Sequence, residues 1–132
     1  MSPARILGGA LLAAALGWAG NRLVWRLWRG RGTAVLVPLW EETVKSGIGV
    51  WTGSLFITHA LFGLGEALVE LARAELAAAC LALVSHGLFG ALAVAGWRLC
   101  ASPLAGWLTA ALAHLSWNML VLRFADRTER RT

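Results

Sequence analysis

From Thr33 to Ala72 the chain is an almost unbroken apolar stretch of about 40 residues. As one helix it would measure about 60 Å, roughly twice the hydrocarbon thickness of a bilayer. The chain must therefore turn back within it, and Thr52-Gly53-Ser54 is the best turn signal. This predicts two membrane spans, Thr33–Trp51 and Ser54–Ala72. Midway along the first stand two adjacent carboxylates and a lysine, Glu41, Glu42 and Lys45. Ionised groups in hydrocarbon are expensive, so such residues face a protein interior or a water-filled cavity. Glu41 and Lys45 lie four residues apart and share a helix face. Whatever else the chain builds has to meet that face.

The remaining sequence supplies the helices to do so. Of 132 residues, 58% are hydrophobic and 14% charged, which places the chain among membrane proteins as a single integral domain. A basic start followed by Ile6–Gly20 has the outline of a signal peptide. More spans follow, however, and no small-x-small cleavage site precedes a soluble domain, so residues 6–28 read as a first span with a basic juxtamembrane segment. Arg22, Arg26, Arg29 and Arg31 mark its end, with Trp25 and Trp28 placed to rest at an interface. Arg73 and Glu75 separate the third span from a fourth over Leu76–Trp97. A turn at Arg98–Pro103 leads to a fifth over Leu104–Leu122, and 123–132 is a basic tail expected to fray. The expected fold is an all-α polytopic bundle of about five transmembrane helices, with 33–122 as a four-helix core.

The arginines also orient the bundle. With Arg22–Arg31 cytoplasmic, Arg73 and the cluster Arg123, Arg127, Arg130 and Arg131 fall on the same side, and only Arg5 and Arg98 fall outside. The amino terminus is expected out and the carboxyl terminus in, in the cell membrane of a bacterium (the inner membrane). The net charge of +5 is thereby a topological signal rather than a nucleic-acid surface. Cys80 and Cys100 lie about 30 Å apart along one helix and read as small apolar residues, neither bridged nor metal-bound. Gly47 and Gly49 are expected at a close helix approach and the eight Trp mostly at interfaces.

Each of the last four spans carries polar groups that a plain membrane helix would lack. The third has His59, Glu66 and Glu70 at i, i+7 and i+11, with Gly63 on the same stripe; the fourth has His86; the fifth has His114 and Asn118 one turn apart. Counted at 1.5 Å per residue, Glu41 and Glu42, His86 and His114 all lie about 12–15 Å from the cytoplasmic ends of their spans. Two adjacent carboxylates resist double ionisation, so one can act as a general base toward water. Histidine and asparagine can donate to a developing oxyanion. Glu42, His86 and His114 could equally hold a divalent metal such as zinc, although no HExxH is present. Either arrangement suits hydrolysis of an amide within the membrane.

Glu41-Glu42-x-x-Lys45, Gly63-x-Gly65-x-x-x-x-Glu70, His86 and His114-x-x-Trp117-Asn118, in that order, resemble the motif series of the PrsW family. That family falls within the wider group of intramembrane CAAX-protease, bacteriocin-processing and abortive-infection proteins (CPBP). The resemblance implies an intramembrane protease in which Glu41 or Glu42 activates water while His86, His114 and Asn118 orient it or stabilise the oxyanion. Glu70 matches the family's acidic member, while Lys45, beside the glutamates, and Glu66, where the family has an aromatic residue, are read from their own positions as supporting residues. In the CAAX-protease branch an aromatic residue precedes a motif histidine, which Leu55–His59 imitates, so His59 is a reserve candidate. The implied substrate is a single-pass membrane protein or a lipidated peptide. Two readings of another class stand beside it: a non-catalytic membrane immunity or scaffold protein, and a proton-coupled transporter using the buried acids as a relay. With so few helices, a homodimer could complete the cavity.

Overall fold

In the computed structural model the protein is all-α, and the structure describes residues 2–28 and 31–129. Five helices follow in order: α1 (Pro3–Leu27), α2 (Arg31–Thr52), α3 (Leu55–Ala72), α4 (Leu76–Cys100) and α5 (Pro103–Glu129). Arg29, Arg130 and Arg131, invoked above for orientation, lie outside the described residues.

Local chemistry sets the boundaries. The Ser2 side chain accepts from the Arg5 N–H at 3.4 Å, and Pro3 occupies the first turn, where a missing N–H is harmless. The predicted turn at Thr52–Ser54 is present: Gly53 takes φ 61°, and the Ser54 N–H returns to the Gly49 carbonyl at 2.8 Å. Two alanines, Ala74 (φ 62°) and Ala101 (φ 49°), take the same left-handed conformation at the ends of α3 and α4. Two predicted boundaries are corrected. The turn expected at Arg98–Pro103 shrinks to Ala101–Ser102, because Arg98, Leu99 and Cys100 complete the last turn of α4 and Pro103 opens α5. The tail expected to fray continues α5 to Glu129, with neither Gly nor Pro after Leu122 to stop it.

Four helical segments, Pro3–Leu27, Leu55–Ala72, Leu76–Cys100 and Pro103–Phe124, are long and apolar enough to cross a membrane. α2 has 22 residues, enough length, but Glu41, Glu42 and Lys45 interrupt its apolarity. It is instead enclosed by its neighbours, packing against α1, α3 and α5, while α3 packs on α4 and α4 on α5. Pro38, fully buried one turn before the acidic pair, leaves the Ala34 carbonyl without its usual helical donor.

The distribution of side chains is inverted relative to a water-soluble domain. Among the largest fully buried side chains are Lys45, His59, Glu42, Thr52 and Thr58, whereas leucines and tryptophans cover the outside of every helix. This is the build of a membrane protein, with apolar residues toward lipid and polar ones toward each other. The apolar core is correspondingly small, with Leu55, Phe89, Ala93 and Ala110 in one cluster and Ala13, Val44 and Phe62 in another.

Glycines decide how closely the helices approach, and of the two expected ones Gly49 is among them while Gly47 is not. Gly47 faces open space, and Gly49 meets Leu55 across the tight turn. The functional approach is between α3 and α4: a Cβ on Gly63 would lie 2.6 Å from the His86 Cβ, and one on Gly90 would lie 2.8 Å from the His59 Cβ. Each helix thus carries a histidine and, one turn on, a glycine that receives the other helix's histidine. The pattern His-x-x-x-Gly occurs once in each. Two of the tryptophans are also not simple interfacial anchors, since Trp40 donates to the Leu16 carbonyl (3.0 Å) and Trp107 to the Thr43 hydroxyl (3.1 Å), tying α2 to α1 and α5.

Candidate functional site

The site is a single hydrogen-bonded network inside the bundle, to which all five helices contribute. Glu42 is its centre, with no solvent exposure. Its Oε1 accepts from Lys45 Nζ at 2.6 Å and from His114 Nδ1 at 2.9 Å, and its Oε2 meets His59 Nε2 at 2.9 Å. The other ring nitrogen of His59 lies 2.9 Å from the Leu55 carbonyl, which can only accept. Nδ1 of His59 is therefore the donor there, and a second proton must lie between Nε2 and the Glu42 carboxyl. Glu42 is saturated, with both oxygens committed to protein donors.

Lys45, equally buried, links this centre to the rest. Its three ammonium protons reach Glu42, Glu41 Oε2 at 3.4 Å and His86 Nδ1 at 3.1 Å, and its Nζ stands 4.5 Å from the Phe62 ring centroid. An ammonium donates only, so Nδ1 of His86 is the acceptor and its proton is on Nε2. That Nε2–H donates to Glu66 Oε2 at 2.6 Å. The Glu66 side chain is 40% exposed, the one member of this chain of bonds that opens to the surroundings. Glu41 completes the set, its Oε1 accepting from Asn21 Nδ2 at 2.5 Å. Aromatic contacts fix the rings: Phe89 stacks on His114 at 4.7 Å, and the His86 and His114 rings meet edge to face at 5.5 Å.

The expected residues are thus sorted. Glu41, Glu42, His86 and His114, placed at a common depth, come together, and Lys45 joins them from the face it shares with Glu41. His59, a reserve candidate, sits at the centre as a direct partner of Glu42, and Glu66 reaches His86. Glu70 stands apart, bonded to Arg73 at 3.1 Å at the end of α3. Asn118 also takes no part among the described residues. It lies one turn beyond His114 and lines a separate cavity of about 940 Å³ with Trp25, Val37, Leu122 and Arg123. Asn21 had not been singled out at all, yet its phase was readable: Gly9, Ala13 and Gly17, all buried, precede it at intervals of four.

The donor set can be tested for a metal. Glu42 and His114, expected as ligands, are bonded to each other. The residues that do gather are Glu41, Glu66 and His86, whose ligating atoms all lie within 4.8 Å of one another. Both nitrogens of His86 are nonetheless committed, one to Lys45 and one to Glu66. The Lys45 ammonium is bonded to two of these residues, Glu41 and His86, so a cation is already supplied by the chain. The residues as arranged do not fit a metal.

Chemically, the network offers two carboxylates with capacity to spare, the buried Glu41 and the part-exposed Glu66, whose Oε2 is bonded by His86. Glu41 has a single short bond, from Asn21, and a long one to Lys45, whereas Glu42 is filled. Glu41 is also one turn above Val37 on the cavity wall, as His114 is one turn above Asn118. No family model, curated protein or solved structure matches this chain.

Proposed function

We propose that this protein is an intramembrane endopeptidase that hydrolyses a peptide bond of a membrane-associated protein with a glutamate-activated water. The observation that carries the reading is the buried network itself: four carboxyl and imidazole side chains in addition to Glu41, Glu42 and Lys45 would not gather in hydrocarbon for packing alone. Mutually bonded titratable groups gathered in a bundle interior, one turn from a cavity, are the usual surroundings of a chemical site.

In this reading Glu41 is the general base. It takes a proton from water, the resulting hydroxide adds to the scissile carbonyl carbon, and the same carboxyl returns the proton to the leaving amine. The Lys45 ammonium, beside Glu41, is the donor for the oxyanion. Glu42, held by His59 and His114, keeps Lys45 in place. His86 carries protons between Lys45 and the more exposed Glu66. The cavity between α1, α2 and α5 is the substrate's approach. The motif resemblance to the PrsW family points to the same chemistry, and to a single-pass or lipidated substrate. The orientation expected from the arginines, carboxyl terminus in the cytoplasm, would open that cavity on the cytoplasmic side. The test is incubation of the purified protein with a panel of membrane-anchored and lipidated peptides in ¹⁸O water, read by mass spectrometry. New carboxyl termini carrying ¹⁸O support the reading; intact substrates throughout the panel count against it.

One observation favours a second reading. The bonds run without a break from the exposed Glu66 through His86 and Lys45 to Glu42, which is the outline of a proton relay. Proton flux into liposomes containing the protein, lost in Glu66→Gln, would favour a transporter.

A further inference from the structure

Lys45 is fully buried, as Glu42 is, and its surroundings are those of a metal ion. Around Nζ stand a Glu42 oxygen at 2.6 Å, the His86 Nδ1 lone pair at 3.1 Å and a Glu41 oxygen at 3.4 Å, with the Phe62 ring on a further side at 4.5 Å. Carboxylate oxygens and an imidazole lone pair converging on one cation are the ligand chemistry of zinc and its neighbours. The ligating atoms of Glu41 and His86, together with Glu66, are already within 4.8 Å of one another. Metal ligands at about 2.0–2.2 Å need only a modest contraction of such a set.

We infer that Lys45 is a built-in cation occupying the place of a divalent metal, and that the cluster is a latent metal site which Lys45 keeps closed. An ammonium 2.6–3.4 Å from the Glu42, His86 and Glu41 atoms repels a second cation and takes the lone pairs it would need. Removing it frees a Glu41 oxygen, one of the bonds to Glu42 Oε1 and the His86 Nδ1 lone pair, two carboxylates and a nitrogen that a divalent cation can draw together. Lys45 is accordingly a positioning residue: it sets the tautomer of His86, and through it the bond to Glu66. The inference concerns the cation and not the reaction, so it can fail while peptide hydrolysis stands, and the reverse.

The experiment is Co²⁺ titration of the purified full-length protein, wild type and Lys45→Ala, following the visible absorption of bound cobalt and the thermal midpoint without any substrate. Wild type is expected to show neither absorption nor a shifted midpoint. Lys45→Ala is expected to bind about one Co²⁺ per chain in a mixed nitrogen–oxygen environment, to be stabilised by it, and to lose it on further change of His86→Ala. Should Lys45→Ala fold only with the metal present, the cobalt-dependent recovery reports the same result. Stoichiometric cobalt or zinc in wild type that is lost in His86→Ala overturns the inference, as does a Lys45→Ala protein that takes up no metal.

Discussion

Glu41 and Glu42 are neighbours in sequence with opposite circumstances. Glu42 is bonded by Lys45, His59 and His114, so replacing its charge leaves a buried ammonium without its shortest partner. Breaking a buried pair from one side costs about 3–5 kcal/mol. Glu42→Gln is therefore expected to lower the thermal midpoint sharply in detergent. Glu41 shares its load with Asn21 and meets Lys45 only at 3.4 Å, so Glu41→Gln is expected to cost about 1–2 kcal/mol while abolishing cleavage. Equal stability losses in the two variants would remove the distinction between anchor and base. At this scale the sequence was informative about identity and poor about partners. Charged and imidazole side chains inside apolar spans announce themselves, and Glu41, Glu42, Lys45, His86 and His114 were legible for that reason. His59 lies only about five residues from the turn, a different depth from Glu42, so nothing in the sequence pairs the two, and side-chain reach brings them together at 2.9 Å. Asn118 shares a face with His114, but a shared face says nothing of the height at which a neighbouring helix supplies a partner.

The α3/α4 pair shows how an element positions a site. Gly63 accommodates His86 and Gly90 accommodates His59, so the helices approach closely only because neither glycine carries a Cβ. Gly63→Ala forces the His86 backbone aside and is expected to destabilise by about 1–3 kcal/mol and to weaken the His86–Glu66 bond. Gly47→Ala, with nothing within 4 Å, is the control and is expected to stabilise by about 0.5–1 kcal/mol through helix propensity. Thermal unfolding of the two variants checks both signs, and two similar losses would refute the packing argument. The helices and the Gly53 turn were legible from hydropathy and a turn triplet. The reciprocal His-x-x-x-Gly pattern was in plain view too, but a motif of two residues acquires meaning only once α3 and α4 are known to be neighbours. The end of α4 was misplaced because Arg98 looks like a boundary, while a helix stops where the backbone turns, at Ala101.

Among the described residues the molecule is apolar outside and polar inside, and the arginines near the ends of its helices predict an orientation. Cys100 closes α4 and Cys80 lies in its first turns, both exposed and free. With the carboxyl terminus in the cytoplasm, a membrane-impermeant maleimide added to intact cells is expected to label Cys100 and spare Cys80. Labelling of Cys80 alone would invert the bundle. The cytoplasmic half would hold the cavity beside Asn118 and Val37, the approach required if Glu41 is to meet a substrate from that side. What no local pattern could supply is the order of packing, with α2 enclosed by α1, α3 and α5, and it is this order that turns scattered polar residues into one network. The decisive measurement is the rate at which purified wild type and Glu41→Gln cleave a membrane-anchored peptide under conditions where both retain their helical fold. Cleavage by wild type, with the rate of Glu41→Gln lowered at least ~10³-fold, is the predicted result. Equal rates in the two proteins, or no cleavage by wild type of any substrate in the panel, would contradict it.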